Sequence, residues 1–140
     1  MARALYLDTS AVLRAVLESG TTPPLEARIA AAGALVTSRL SLVEAARALL
    51  RLRATARASE ERLADAARAI DALWERCDVW ELTPAVCTLA SQVAPHQPLR
   101  TLDALHVATY VLARRRIDTL ELVSADERLT AAARGVSGAG

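Results

Sequence analysis

The chain has 140 residues, of which 53% are hydrophobic but only 3% aromatic, so its core must be built mainly from Leu, Val and Ala, a composition that favours helices. None of its 17 basic residues is Lys, which excludes Schiff-base chemistry, a Walker lysine and a Ser-Lys dyad. A formal charge of +1 excludes a generally basic nucleic-acid coat, so a polyanion would have to meet a local cluster of arginines.

The length predicts one domain over residues 1–140, with a frayed tail at about 135–140. A chain of this size buries roughly two-thirds of its unfolded surface in a single core. Cys77 and Cys87 have neither CxxC nor zinc-site spacing, and we interpret both as core residues of a protein from a reducing compartment. The sequence shows no signal-peptide core and no run of membrane-spanning length, which predicts a cytoplasmic protein that is not attached to a membrane.

The first half of the chain is predicted to form two strands and four helices. Apolar spacing and caps place them at 3–7 (strand), 9–18 (helix), 23–32 (helix), 34–38 (strand), 41–54 (helix) and 59–77 (helix). The last two of these helices are expected to form a hairpin.

The second half is predicted to contain two more strands and three helices. The same signals place them at 78–82 (strand), 84–94 (helix), 101–116 (helix), 119–124 (strand) and 126–134 (helix). The segment PHQPL is interpreted as a loop before the helix at 101–116.

Strands that alternate with helices predict parallel pairing. The fold class is therefore α/β, with a three-layer α/β/α sandwich around a central, mainly parallel sheet of four to five strands. The first strand, ALYL, has no polar alternation, as expected for a strand that is covered on both faces. Ligands of such sheets bind at the carboxyl ends of the strands, and Asp8 follows the first strand directly.

Four acidic residues lie close to four predicted helix starts. Asp8 and Asp126 each follow a strand and open a helix, whereas Glu44 and Asp103 lie in the first turns of their helices. If the topology brings them to one edge of the sheet, the carboxylates repel one another, and burial raises their pKa values. A divalent cation resolves that conflict, and oxygen donors without paired thiols or histidines select Mg²⁺ or Mn²⁺ over zinc.

Helix capping is the alternative explanation for each of these acids taken alone. Acidic and hydroxyl residues at helix N-termini typically stabilise by about 0.5–2 kcal/mol. The segments SLVE (41–44) and SADE (124–127) both match a capping box. Glu44 is also predicted to lie opposite the apolar face of its helix beside Arg47 and Arg51, as in an ordinary surface pair.

The predicted helix at 101–116 is largely apolar around its circumference and retains one narrow polar stripe. That stripe consists of Asp103, His106, Tyr110 and Arg114. Such a helix usually faces a cleft or a polar partner. We interpret His106 as a hydrogen-bonded core histidine rather than a metal ligand.

Four segments of the chain resemble the acidic motifs of the PIN domain, in the branch of VapC-like toxins of bacterial type II toxin–antitoxin pairs. They are LYLDTSAVL, SLVEAARAL, LRTLDALHVATY and LVSADERL. The order and spacing of these segments match the family, and the resemblance covers nearly the whole chain. It implies a compact α/β domain, a ribonuclease activity that depends on Mg²⁺ or Mn²⁺, inhibition by a cognate antitoxin, and a homodimer.

The resemblance also implies which residues form the site. Carried over onto this sequence, the catalytic and metal-binding acids are Asp8, Glu44, Asp103 and Asp126, with Thr9 and Ser124 as supporting hydroxyls. The implied reaction is hydrolysis of an RNA phosphodiester to a 5′-phosphate and a 3′-hydroxyl. A metal-activated water makes a nucleophilic side chain unnecessary.

Contacts to RNA are predicted on basic and aromatic positions near this site. The candidates are Arg47, Arg51, Tyr110, Arg114 and Arg115. A solvated helix surface is the alternative for the arginines. With so few aromatic residues, no stacking platform for single-stranded bases is expected.

The Ala- and Leu-rich helices between residues 42 and 73 offer apolar surface for self-association or for an antitoxin segment. Charge complementarity further predicts that an antitoxin Arg enters the acidic pocket.

Two other functions remain open from the sequence. The first is a non-catalytic protein-interaction module in which the acids act only as caps. The second, less favoured, is a phosphatase with Asp8 as its nucleophile. Haloacid-dehalogenase-like sites need a second Asp two residues later, where this chain has Ser10, and a Lys, which it lacks.

Overall fold

The computed structural model describes residues 3–138 and contains, over that range, four strands and seven helices. The strands are β1 (Ala4–Leu7), β2 (Ala34–Ser38), β3 (Cys77–Trp80) and β4 (Glu121–Val123). The helices are α1 (Thr9–Leu17), α2 (Pro23–Ala31), α3 (Arg39–Ala54), α4 (Glu60–Glu75), α5 (Pro84–Ala90), α6 (Thr101–Arg114) and α7 (Glu127–Gly138).

The four strands form one parallel sheet in the order β3-β2-β1-β4. β1 is a central strand that pairs Leu5 with Leu35 of β2 on one side and with Glu121 of β4 on the other. Both neighbours lie parallel to β1, so the carboxyl ends of the three strands meet at one edge. The predicted α/β fold with a parallel sheet is confirmed.

β1 packs helices on both of its faces because successive side chains of a strand point in opposite directions. Leu5 and Leu7 belong to a core cluster with residues of α1, α3 and α4. Ala4 and Tyr6 belong to a second cluster with residues of α6 and α7. All four side chains are buried, which explains why ALYL lacks the polar alternation of a strand with one exposed face.

The observed boundaries differ from the predicted ones where a cap was misassigned. α3 begins at Arg39 because Ser38, not Ser41, accepts a hydrogen bond from an amide of the first turn. Ser41 is buried and accepts a hydrogen bond from Thr37 instead, so the predicted capping box at 41–44 is wrong. Ser59 does cap α4, as predicted.

The C-terminal helix is longer than the sequence indicated. α7 continues to Gly138, beyond the predicted end at residue 134 and into the segment predicted to be a frayed tail. The last part of that predicted tail, residues 139–140, lies outside the described residues. The two cysteines also differ from each other: Cys77 is half-buried, but Cys87 is exposed on α5, so its assignment to the core is wrong.

No helix within residues 3–138 combines the length and the apolar character needed to cross a membrane.

Two Leu→Ala substitutions test the assignment of the layers. Leu5→Ala removes a fully buried side chain from the central strand and is expected to lower the free energy of unfolding by about 2–5 kcal/mol. Leu50→Ala makes the same chemical change at a position of α3 that is 48% exposed, and a change below about 0.5 kcal/mol is expected. Urea unfolding followed by circular dichroism measures both. Equal losses in the two variants would contradict the assigned core.

Candidate active site

Asp8 lies between the end of β1 and the start of α1 and is only 4% exposed. Its Oδ1 accepts a hydrogen bond from the Ala11 amide at 2.9 Å, which makes Asp8 the N-cap of α1. The Ser10 hydroxyl lies 2.8 and 2.9 Å from the two carboxylate oxygens, and the Ser124 hydroxyl donates to Oδ2 at 2.7 Å. The carboxylate is thus both a cap and a buried group held by two hydroxyls.

Burial raises the pKa of Asp8, although the hydrogen bonds from Ser124, Ala11 and Ser10 and the nearby His106 all act to lower it. The net direction shows that removing this charge from water costs more than its hydrogen bonds return. A cation beside the carboxylate would offset that cost.

Ser10 and Ser124 connect Asp8 to the segment that follows β4. The Ser10 hydroxyl accepts a hydrogen bond from the Ala125 amide at 2.9 Å, and the Ser124 hydroxyl accepts one from the Asp126 amide at 2.9 Å. The predicted hydroxyl Ser124 therefore lies beside Asp8. Ser10 was not assigned to the site from the sequence, although it stands in the same DTS segment as Asp8.

Asp126 is placed near Asp8 by Ser124, but its own carboxylate serves α7. Its Oδ1 accepts a hydrogen bond from the Arg128 amide at 2.9 Å and lies 3.7 Å from the Arg128 guanidinium. Asp126, rather than Ser124, therefore occupies the capping position of α7, and the predicted capping box at 124–127 does not form.

Glu44 projects from α3 into a second polar cluster at the same sheet edge. Its Oε1 accepts hydrogen bonds from the Thr9 hydroxyl at 2.7 Å and from His106 Nε2 at 2.6 Å. Burial pushes the pKa of Glu44 upward, but the hydrogen bonds from His106 and Thr9 and the charge of Arg51 act against it, and the pKa lies below its ordinary value. Glu44 is therefore ionised at neutral pH and held in place, unlike the simple surface residue of the alternative interpretation.

His106 joins this cluster to the central strand. It is buried, and its Nδ1 lies 2.9 Å from the hydroxyl of Tyr6. Because an ionised Glu44 can only accept a hydrogen bond, the proton in this contact belongs to Nε2 of His106. His106 is the hydrogen-bonded core histidine that the sequence predicted. Tyr6 was missed, although it is the one residue of ALYL with a polar group.

Asp103 is partly buried in the first turn of α6, one helical turn before His106. Within residues 3–138, no three Asp, Glu, His or Cys side chains lie close enough together to form a metal site from protein ligands alone. Asp8 and Glu44 thus lie at the same edge of the sheet, held by hydroxyls of neighbouring residues. That all four acids share one ion stays a prediction.

The donor set nevertheless fits a hard divalent cation. Mg²⁺ is usually held by one or two carboxylates, with waters and substrate phosphates as its other ligands, so it does not require three protein groups. The carboxylates of Asp8 and Glu44 and the hydroxyls of Thr9, Ser10 and Ser124 are all oxygen donors. The raised pKa of Asp8 is the property that a nearby cation would reverse.

The predicted RNA contacts are spread over different environments. Arg47, Arg51 and Arg115 are exposed, and Arg114 is partly buried. Tyr110 is 5% exposed, and its hydroxyl donates to the Leu120 carbonyl at 3.3 Å. Its ring packs in the core and offers almost no surface to a nucleic acid.

Asp8→Asn is expected to raise the melting temperature by a few degrees at pH 7 in the absence of divalent metal. The amide still caps α1 but carries no charge to bury, and each kcal/mol corresponds to roughly 3–5 °C for a chain of this size. Because the carboxyl pKa is raised above 3.8 in the folded state, wild-type stability falls as pH rises through that range. The advantage of the variant should therefore shrink as pH falls toward 4.

Differential scanning fluorimetry across pH measures this effect, with Asp71→Asn on the exposed surface of α4 as the matched control. A large drop in the melting temperature of Asp8→Asn at pH 7 would show that ionised Asp8 stabilises the fold, contrary to the expectation.

Comparison with known proteins places this geometry in a family. The family model described as "PIN domain" matches residues 5–135. None of the curated protein sequences compared with the chain matches it.

Several solved structures have the same fold. PAE2754 from Pyrobaculum aerophilum is 24% identical with a TM-score of 0.66, over 96% of this chain and 83% of that one. A toxin–antitoxin complex from Klebsiella pneumoniae is 20% identical with a TM-score of 0.59, over 88% and 86%. VapBC2 from Rickettsia felis, bound to a DNA fragment from their promoter, is 13% identical with a TM-score of 0.58, over 88% and 99%. The family match extends over nearly the whole chain, from the first residues of β1 into α7, and the chain therefore belongs to the PIN domain family.

Proposed function

We propose that this protein is an endoribonuclease that depends on Mg²⁺ or Mn²⁺ and acts as the toxin of a toxin–antitoxin pair. The observation that carries the proposal is the buried carboxylate of Asp8 at the carboxyl end of the central strand, in a member of a nuclease family. A buried acid whose pKa is raised is poorly suited to stabilise a fold and well suited to bind a cation.

Each acid has its own part in the proposed site. Asp8 and Glu44 would hold the metal directly, since their carboxylates are fixed by hydroxyl and imidazole donors. Asp103 and Asp126 lie in the first turn of α6 and immediately before α7, and they would bind the ion through water. When bound, the metal lowers the pKa of a water molecule and stabilises charge at the attacked phosphorus.

The remaining residues of the site orient these acids. Ser124 and Ser10 hold the Asp8 carboxylate from two directions, and Thr9 and His106 hold Oε1 of Glu44. The proposed products are a 5′-phosphate and a 3′-hydroxyl.

An antitoxin partner is proposed from two of the structural neighbours, which are a toxin–antitoxin complex and a VapBC complex. On this chain, α3 exposes Val43 and Leu50, which are 55% and 48% accessible. These residues lie in the region where an apolar face was predicted, and they offer a surface for an antitoxin helix or for a second copy of the chain. A cytoplasmic location also remains part of the proposal.

A non-catalytic interaction module is the second candidate, because Asp8 and Asp126 do cap α1 and α7. In that case a divalent metal would have no differential affinity for the folded state.

The activity is tested by cleavage of single-stranded RNA in Mn²⁺ with purified wild type, Asp8→Asn, Glu44→Gln and Asp103→Asn. Loss of a metal ligand is expected to lower kcat/KM by at least about 100-fold, which corresponds to roughly 3 kcal/mol of transition-state stabilisation. Asp71→Asn removes an acid from the exposed surface of α4 and should cleave as fast as wild type. Unchanged cleavage by Asp8→Asn would refute the assigned site.

Metal binding is tested separately by thermal stabilisation. Mn²⁺ at about 100 times its dissociation constant should stabilise the wild type by about 2.7 kcal/mol and should stabilise Asp8→Asn far less. A melting temperature that does not respond to Mn²⁺ in the wild type would favour the interaction module.

A further inference from the structure

A groove of about 600 Å³ opens beside the edge strand β4. α1 and α2 contribute to its wall, as do α6, α7 and β4 itself. One end of the groove is lined by Ser124 and Ala125. Since Ser124 donates to Asp8 at 2.7 Å, the groove leads directly to the candidate active site.

Arginines dominate the charge of this groove. Its lining contains Arg14, Arg28, Arg114 and Arg134, whereas Glu121 is the one acidic residue among the lining positions within residues 3–138. Glu121 is ion-paired to Arg28 at 2.9 Å and Arg14 is ion-paired to Glu18 at 2.6 Å, so Arg114 and Arg134 carry the excess of positive charge along the wall. Four arginines from four different helices have been brought together by the fold, on a chain whose formal charge is only +1.

Arg114 lines the groove with an unsatisfied donor in its guanidinium group. Its Nε is buried and has no hydrogen-bond acceptor among residues 3–138. A buried donor without an acceptor destabilises the folded state, and more so when the group is charged. An anionic ligand on this wall would supply the missing charge.

We propose that this groove, defined by Arg14, Arg28, Arg114 and Arg134, is the path of the RNA strand on one side of the scissile phosphate. The inference rests on the proposed nuclease function and adds where the substrate lies. The planar guanidinium matches phosphate oxygens with two parallel hydrogen bonds. The groove lacks stacked aromatic rings among its lining residues within 3–138, so its contacts go to the backbone and are independent of base sequence.

An RNA strand fits these observations better than an acidic peptide does, because the lining of the groove includes Ser124, a neighbour of the acid that would act on a phosphodiester. A strand bound along the arginines would pass Ser124, whose hydroxyl donates to Asp8 at 2.7 Å. An acidic peptide would explain the arginines but not why they lead to a carboxylate.

The first test measures binding in the Asp8→Asn background, where cleavage is silenced. Fluorescence anisotropy with a labelled single-stranded RNA without divalent metal should show weaker binding, by about 3- to 10-fold, for added Arg114→Gln or Arg134→Gln. Each lost phosphate contact should also reduce the slope of log K against log salt by about 0.7. Arg68→Gln on α4 lies outside the groove and should bind as its parent does.

Folding is controlled by the choice of variants. Arg134 is exposed, so Arg134→Gln should melt as its parent does even if Arg114→Gln is destabilised. Arg134→Lys retains the charge and should recover most of the binding lost in Arg134→Gln.

The second test separates this inference from the nuclease proposal. In the wild-type background, with Asp8 intact and Mn²⁺ present, Arg134→Gln should raise KM for a long RNA and leave kcat unchanged. The rate of cleavage of a dinucleotide should also be unchanged. Wild type that neither binds nor cleaves RNA would overturn the proposed function. Wild type that cleaves RNA, with groove variants that bind and cleave normally, would overturn the groove alone. Variants that lose binding of poly-glutamate while retaining that of RNA would assign the groove to an acidic protein segment and also overturn the inference.

Discussion

The burial of one carboxylate at the end of the central strand is the constraint on which the rest of the site depends. β1 is covered by helices on both faces, so the residue that follows it leaves the sheet inside the protein rather than at its surface. Placing Asp8 there carries a desolvation cost, which is reduced by donors from its own helix and from the segment after β4. Those donors come from distant parts of the sequence, and the site is therefore assembled only when β4 pairs with β1.

A second network ties the two helical layers together across the same sheet edge. Tyr6 belongs to the core cluster of α6 and α7, whereas Glu44 projects from α3 on the other side, and His106 joins them through its two ring nitrogens. Thr9 closes the network from the first turn of α1. Because a buried histidine with both nitrogens engaged has little rotational freedom, the position of Glu44 is set by the core and not by solvent. The geometry of this acid therefore depends on the packing of four separate elements.

The sequence was sufficient to predict the parallel sheet and the position of Asp8 at its edge. It was insufficient to predict features that depend on which side chains become buried. The rule that parallel strands present their carboxyl ends at one edge was enough to place Asp8 there. It could not decide between Ser38 and Ser41 as the cap of α3, since both precede helical sequence and only the buried Thr37 contact distinguishes them. Of the groove arginines, Arg114 was predicted as an RNA contact, but Arg14, Arg28 and Arg134 were missed for a related reason. Taken singly, an arginine such as Arg134 has the spacing of ordinary solvated surface, and only the fold shows that residues from four helices share one wall.

Capping and metal binding are alternative explanations for acids at helix starts, but the geometry of the Asp8 cap leaves carboxylate lone pairs for a second role. The cap uses a lone pair of Oδ1 towards the Ala11 amide, and a carboxylate has about four such sites. What separates the two roles is the environment of the charge. A cap on an exposed helix end is stabilised by ionisation, as the N-terminal dipole favours a negative group and water solvates it. Asp8 has the opposite behaviour, since burial raises its pKa despite the cap. A bound cation would offset the cost of a charge that the fold makes harder to form, and this is the physical argument for a cation at the end of β1.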